Sequence, residues 1–200
     1  MQEIYIINPN TPVLWGDYGG ILAHGMAERN SDGQLELERT GPFIPPISFP
    51  GFTIVVTDGF KQKLEHSRLK GLSFRPAVKK RIVHLDWEKW DWKAADPVEY
   101  PDSGEPEDYI LETPHSSEVA EKLGVLWELA IEQQAEIVRV KTGPRILDEE
   151  IWLRLDGWDG RDWFKARGVL HVYVSKEAKS WLEAEPEILQ WVRFSQALVK

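Results

Sequence analysis

Apolar and polar positions fall into a strand rhythm, a helix rhythm and a strand rhythm between Gly168 and Lys200. Val169, Leu170, Val172, Tyr173 and Val174 form an apolar, partly β-branched run of the kind a buried strand needs. Ser175 comes next as a helix N-cap, its hydroxyl able to accept from an orphan backbone N–H. Ala178, Trp181, Leu182 and Glu185 keep helical spacing until Pro186 stops the turn. Ile188, Leu189, Trp191, Val192 and Phe194 then supply a second strand. An earlier segment has the same plan. Phe52, Ile54, Val55 and Val56 make its strand, Thr57 stands where Ser175 does, and Phe60 and Leu64 carry the helix face. Gly71 is expected to end that helix in the left-handed conformation, with Leu72, Phe74, Ala77 and Val78 as the return strand. In register, Val-Val-Thr-x-x-Phe-Lys-x-x-Leu at 55–64 lies over Tyr-Val-Ser-x-x-Ala-Lys-x-x-Leu at 173–182. Phe-x-x-Ala at 74–77 lies over Phe-x-x-Ala at 194–197. Any two strand–helix–strand units share part of this pattern; the sharper alternative is a two-lobed chain built from related halves.

Elsewhere the pattern is plainer. Ile4 to Ile7 form a buried strand ended by Asn8-Pro9-Asn10-Thr11-Pro12. Residues 13–29 are ambiguous, because Gly16, Gly19, Gly20 and Gly25 weaken any helix. Leu35 and Leu37 alternate with Glu36 and Glu38 as a half-buried strand. Ser116 or Ser117 caps a helix whose stripe is Val119, Leu123, Leu126, Trp127, Ala130 and Ile131, giving a central helix over 117–134. Ile137, Val138 and Val140 form a strand, as do Ile151, Leu153 and Leu155. The expected fold is α+β: two related strand–helix–strand lobes sharing a core, with mixed sheets and the central helix. The lobes span 1–93 and 117–200, joined by an acidic loop at 94–116 within one compact unit.

Composition narrows the function. The 200 residues carry 24 Lys and Arg against 33 Asp and Glu, a formal charge of −9. A surface of that sign repels phosphate backbones, so nucleic acid is disfavoured as a partner, while a basic protein would be drawn in; solubility alone also accounts for acidity. With no cysteine, disulfides and thiolate metal sites are impossible. The start, with Glu3 and a short apolar run, is too short and too acidic for a signal peptide, and no stretch approaches the ~20 apolar residues of a membrane span. A cytoplasmic protein without membrane attachment is expected. Ten tryptophans are many for this length; most belong in the core, and some belong on a recognition surface.

Acidic residues concentrate between Ala94 and Glu121, a stretch with nine carboxylates and no Lys or Arg. Trp87, Trp90 and Trp92 lead into it, and Asp96, Glu99, Asp102, Glu105, Glu107 and Asp108 lie along it. As structure this is a linker between lobes; as function it is a negative arm beside exposed tryptophans, able to cover a cationic site. Lys79, Lys80 and Arg81 form the basic cluster, better suited to guarding an edge strand than to holding phosphate. Asp156, Asp159 and Asp162 recur every third residue with Gly157 and Gly160 between them. A calcium loop needs ligands at alternate positions and a distant glutamate, so a tight turn fits better, its aspartates accepting backbone N–H groups and its glycines at positive φ. Catalytic motifs with a nucleophile elbow, paired zinc histidines or a phosphate loop are missing. No catalytic residue, metal or cofactor is therefore expected.

Two segments also resemble a known family. Phe49-Pro-Gly-Phe-Thr-Ile-Val-Val-Thr57, leading through Leu64 to Gly71-Leu-Ser-Phe-Arg-Pro76, resembles the first half of the myxobacterial double Cys-x-x-Cys-Gly motif proteins. Trp158-Asp159-Gly160-x-Asp162-x-Phe164, leading to Val172-Tyr-Val-Ser175, resembles the second half. Members of that family and related domains of polymorphic-toxin loci act as immunity proteins. The resemblance implies that this bacterial protein binds and neutralises a cognate toxin. Both cysteine motifs are absent here, and with them the zinc they suggest. The expectation is inhibition by steric and electrostatic occlusion, with Trp87, Trp90, Trp92, Asp96, Glu99, Asp102, Glu105, Glu107 and Asp108 as contacts and a basic toxin surface as partner. The competing expectations are a glycan- or peptide-binding module that stacks ligands on tryptophan, and an enzyme with dispersed acidic residues.

Overall fold

A computed structural model describes residues 2–11, 17–86, 105–143, 145 and 149–200. The chain is α+β with mixed sheets. It divides into two compact units: Met1–Asn8, Glu65–Ser73 and Ala130–Lys200 form one, Pro9–Leu64 and Phe74–Leu129 the other.

The first unit is built on a seven-stranded sheet. Its strands, numbered along the chain, are β1 (Ile4–Pro9), β9 (Gln133–Lys141), β10 (Glu149–Arg154), β11 (Trp163–Arg167), β12 (Val172–Ser175), β13 (Val192–Gln196) and β14 (Leu198–Val199). Their order is β13-β1-β12-β11-β9-β10-β14. Only Ala197 separates β13 from β14, yet β13 lies beside β1 and β14 runs parallel to β10, with Trp152 opposite Leu198. One segment thus serves both ends of the sheet and nearly closes it into a barrel, leaving little free edge. Alternation along the strands points Ile4, Ala135, Leu153, Phe164, Ala166 and Tyr173 into a common core. Helix α5 (Lys176–Glu183) buries Ala178 and Leu182, as its spacing predicts.

The other unit carries a three-stranded sheet, β2 (Met26–Arg29), β3 (Leu35–Gly41) and β7 (Val78–His84), in the order β2-β3-β7. It also carries a four-stranded sheet of β4 (Ile47–Ser48), β5 (Val55–Thr57), β6 (Ser73–Pro76) and β8 (Leu126–Ala130), in the order β4-β5-β8-β6. Its helices are α1 (Asp17–His24), α2 (Asp58–His66), α3 (Asp108–Leu111) and α4 (Ser117–Lys122). Leu35, Leu37, Val55, Ile82, Val119, Leu123 and Leu126 pack as its core. Deep within this unit Arg39 is 1% exposed, donating to the carbonyls of Thr40 (3.1 Å) and Ala23 (3.0 Å).

The central helix expected over 117–134 is corrected. Ser116 does cap a helix, its hydroxyl accepting from Val119 N at 3.3 Å, but that helix ends at Lys122. Gly124 turns the chain at φ +63°, and Leu126–Ala130 is a strand. Within this strand Glu128 is 5% exposed and paired with Arg29, a carboxylate facing inward where the helical stripe has no apolar residue. Boundaries also shift: α2 ends at His66, and Arg68 rather than Gly71 takes the first left-handed conformation, at φ 64°. Gly71 is needed for another reason. Its φ is +90°, and a Cβ there would sit 2.2 Å from the Trp163 carbonyl oxygen. Phe52 and Leu170, expected in strands, lie outside them and are exposed.

The two strand–helix–strand segments build one motif twice. Thr57 Oγ1 accepts from Phe60 N at 3.3 Å, and Ser175 Oγ accepts from Ala178 N at 3.1 Å. Each leading strand pairs antiparallel with a strand from the other half of the sequence. Thr57 faces Leu126 and Val56 faces Trp127, while Ser175 faces Ile4 and Val174 faces Tyr5. The return strands match as well: Ala77 N donates to Leu126 O and Ala197 N to Ile4 O, both at 2.9 Å. Lys61 lies over Trp127 and Phe74 at 4.7 and 5.3 Å, and Lys179 over Tyr5 and Phe194 at 5.0 and 5.6 Å. The middle strand of each motif is exchanged between sequence halves, β8 in the first and β1 in the second.

Candidate functional site

Of the expected contact residues, Trp87, Trp90, Trp92, Asp96, Glu99 and Asp102 lie outside the described residues. Glu105, Glu107 and Asp108 lie within them, at the entry to α3. The Glu105 carbonyl accepts from Asp108 N at 3.2 Å, and that of Glu107 accepts from Ile110 N and Leu111 N at 2.9 and 3.0 Å. Ile110 is fully buried and pins the short helix, leaving the three carboxylate-bearing residues on its approach.

Residues 111–116, from the last residue of α3 onward, are stitched along β7, the edge strand of its sheet. Arg81 donates to the Leu111 carbonyl at 2.6 Å and the Thr113 carbonyl at 3.4 Å. Ile82 N donates to His115 Nδ1 at 3.0 Å, and Ser116 N donates to Ile82 O at 2.8 Å. The basic cluster is thus engaged locally. Lys80 pairs with Glu28, Glu36 and Glu38, and Lys79 donates to the carbonyls of Ala120 and Gly124. These contacts serve the edge-strand role and give the acidic segment a fixed C-terminal end.

The Asp156–Asp162 turn is structural throughout. Asp159 accepts from Arg161 N at 3.2 Å and from its guanidinium at 2.7 Å, and Arg161 reaches Glu132 at 2.6 Å. Asp162 accepts from Lys70 N at 2.8 Å and from the Ser175 hydroxyl at 2.6 Å. Asp156 pairs with Arg154 at 2.9 Å. Gly160 has the expected positive φ of +85°, whereas Gly157 is not in the left-handed region. Comparison of the chain with protein-family models, with curated proteins and with solved structures finds no match. Function therefore rests on the chain's own chemistry.

The six described tryptophans divide between buried and partly buried positions. Trp163 and Trp191 are buried; Trp127, Trp152, Trp158 and Trp181 are partly buried. Trp127 donates to Asp58 at 2.9 Å and lies under Lys61; Trp158 donates to the Arg161 carbonyl at 3.0 Å and packs on Phe164.

Sequence reasoning missed one concave feature. The barrel-like sheet of the first unit holds a cavity of about 310 Å³ whose floor includes Leu153 and Tyr173. Tyr173 stacks on Phe164 at 5.6 Å and meets the His171 ring edge-on at 6.3 Å. Burial pushes the Tyr173 phenol up to about 12. The sequence pattern assigns Tyr173 wholly to strand packing, and its inward polar end becomes visible only once β1, β10 and β12 are placed around it. Among the described residues, no helix is long and apolar enough to cross a membrane.

Proposed function

We propose that this protein is an immunity protein that neutralises a cognate bacterial toxin by covering a basic surface on it. The observation that carries the proposal is the acidic segment: nine carboxylates without a Lys or Arg between Ala94 and Glu121, its C-terminal end held to β7 through Arg81 and Ile82. Glu105, Glu107 and Asp108 at that end are already held at the entry to α3, which lowers the ordering cost of presenting them to a partner. The overall charge of −9 favours encounter with a cationic partner. Further support comes from the segments that resemble toxin-immunity proteins. Phe49–Pro76 encloses β5, α2 and β6 of the first motif, and Trp158–Ser175 encloses β11 and β12, ending on the leading strand of the second. Inhibition by occlusion asks no bond-making of any side chain. The cytoplasm is the compartment this role requires.

The test is functional rescue. Candidate toxins from the same genome are induced one at a time, with and without this chain. The proposal expects one of them to lose its toxicity and to co-purify with the chain as a stoichiometric complex. Rescue without a complex, or a chain that converts the toxin's product or substrate by turnover, would contradict it.

A further inference from the structure

The cavity in the first unit's sheet has the features of a small-molecule site, independently of any toxin. At about 310 Å³ it falls at the lower end of ligand pockets, room for a single substituted ring or a short branched chain. Ile6, Ile151 and Leu153 give it apolar walls, and Tyr173 and Leu153 close its inner end. Tyr173 is 2% exposed, and its hydroxyl has no hydrogen-bond partner among the described residues. An acceptor oxygen seated in the cavity would take the hydroxyl's hydrogen bond in place of water. The phenol keeps its proton at every physiological pH, because burial pushes it up to about 12. At the rim, Glu149 has its own counter-ion in Arg139, 3.5 Å away, so the described lining carries no carboxylate without a counter-ion. His171, also at the rim, sets its ring edge-on to Tyr173.

The geometry points to a binding site for a small, uncharged, mainly apolar molecule bearing a carbonyl or equivalent acceptor oxygen, seated on Ile6, Ile151 and Leu153 with its oxygen on the Tyr173 hydroxyl. Wall contacts supply most of the affinity, and the hydroxyl supplies orientation and preference.

Acetophenone and ethylbenzene are suitable probes, since they share a ring and size and differ in the acceptor oxygen. The full chain, ¹³C-labelled at isoleucine methyls, is titrated with each. The expected result is saturable shifts at the Ile6 and Ile151 methyls with acetophenone. Tyr173→Phe should weaken acetophenone about three- to tenfold, the range of one neutral hydrogen bond, and leave ethylbenzene unchanged. Ile151→Trp, which fills the cavity, should abolish the shifts from both. Absence of shifts in the wild type up to the solubility limit would overturn the assignment. So would equal weakening of both probes by Tyr173→Phe, or binding that survives Ile151→Trp. If Tyr173→Phe fails to fold, the wild-type titration and Ile151→Trp decide the matter between them.

Discussion

The two strand–helix–strand motifs share a backbone plan and differ in how they secure it. In the first, Thr57 N donates to the Pro46 carbonyl at 3.1 Å; in the second, Ser175 N donates to the Asp162 carbonyl at 2.9 Å. The position is the same and the side chain is not. Proline offers no side-chain acceptor, whereas the Asp162 carboxylate takes the Ser175 hydroxyl and the Lys70 N–H. The second cap is therefore part of a network and the first stands alone. Conversely, Asp58 in the first motif holds the Trp127 indole, while Lys176 in the corresponding place pairs with Glu3, opposite in sign. Both motifs retain the buried helix face and the lysine over two aromatic rings. That retention shows where the plan tolerates change: partners at the rim vary, and the packed centre does not.

The largest expected effect is at the segment Glu65–Ser73, which belongs to the second motif's unit. Gly71→Ala forces a left-handed backbone and drives a Cβ against the Trp163 carbonyl, so a loss of about 3 kcal/mol or more is expected. Thermal unfolding measures it; Gly59→Ala, with no heavy atom near its added Cβ, is the control.

Acid should next separate the two units. Burial, with the nearby Arg39 charge adding to it, lowers His24 to about 4, below the ~6.5 of the unfolded chain. The unfolded state then binds more protons than the folded one as pH falls. Stability is full above about 6.5 and declines between 6.5 and 4, by about 3 kcal/mol at the limit. The first motif's unit should therefore lose hydrogen-exchange protection first on acidification, and His24→Gln should flatten that decline.

Much of the motif plan was legible in the sequence because it is local. The caps Thr57 and Ser175, the buried faces Phe60–Leu64 and Ala178–Leu182, and the aligned Lys61 and Lys179 all derive from spacing. The exchanged strands were not legible, because nothing in the periodicity of Leu126–Ala130 names Val55–Thr57 as its partner. Glu128 is a carboxylate buried against Arg29 from a distant strand, a pairing that the helical stripe of its neighbours does not name. The Tyr173 cavity was hidden for the same reason: its lining comes from β1, β10, β12, β13 and β14, which are distant in sequence. The basic cluster at 79–81 was legible as an edge-strand guard, but the anchoring of the acidic segment was not, because no local spacing names the Leu111 and Thr113 carbonyls as the acceptors of Arg81.

The remaining effects are smaller and sharpen the contrast between the motifs. Asp162→Ala should cost about 2 kcal/mol, since it strips two donors of their acceptor, while Pro46→Ala should cost far less. Ser175→Ala and Thr57→Ala should each cost about 1 kcal/mol as lost caps. Only the Ser175 effect should couple to Asp162 in a double-mutant cycle. Smallest of all, Lys61→Met and Lys179→Met should lose the same amount, about 0.5 kcal/mol, if the two cation–aromatic arrangements are equivalent. Unequal losses would show that the second motif's lysine draws chiefly on Glu183.

The most direct measurement is the rate at which the chain associates with the toxin it rescues, taken across a salt series for the wild type and for Asp102→Lys/Glu105→Lys/Glu107→Lys. Inhibition through the acidic arm predicts a wild-type rate that falls steeply with salt and a reversed chain that associates at least ~10 times more slowly, with little salt dependence. Equal rates for the two chains at every salt concentration would contradict it and remove that surface from the mechanism.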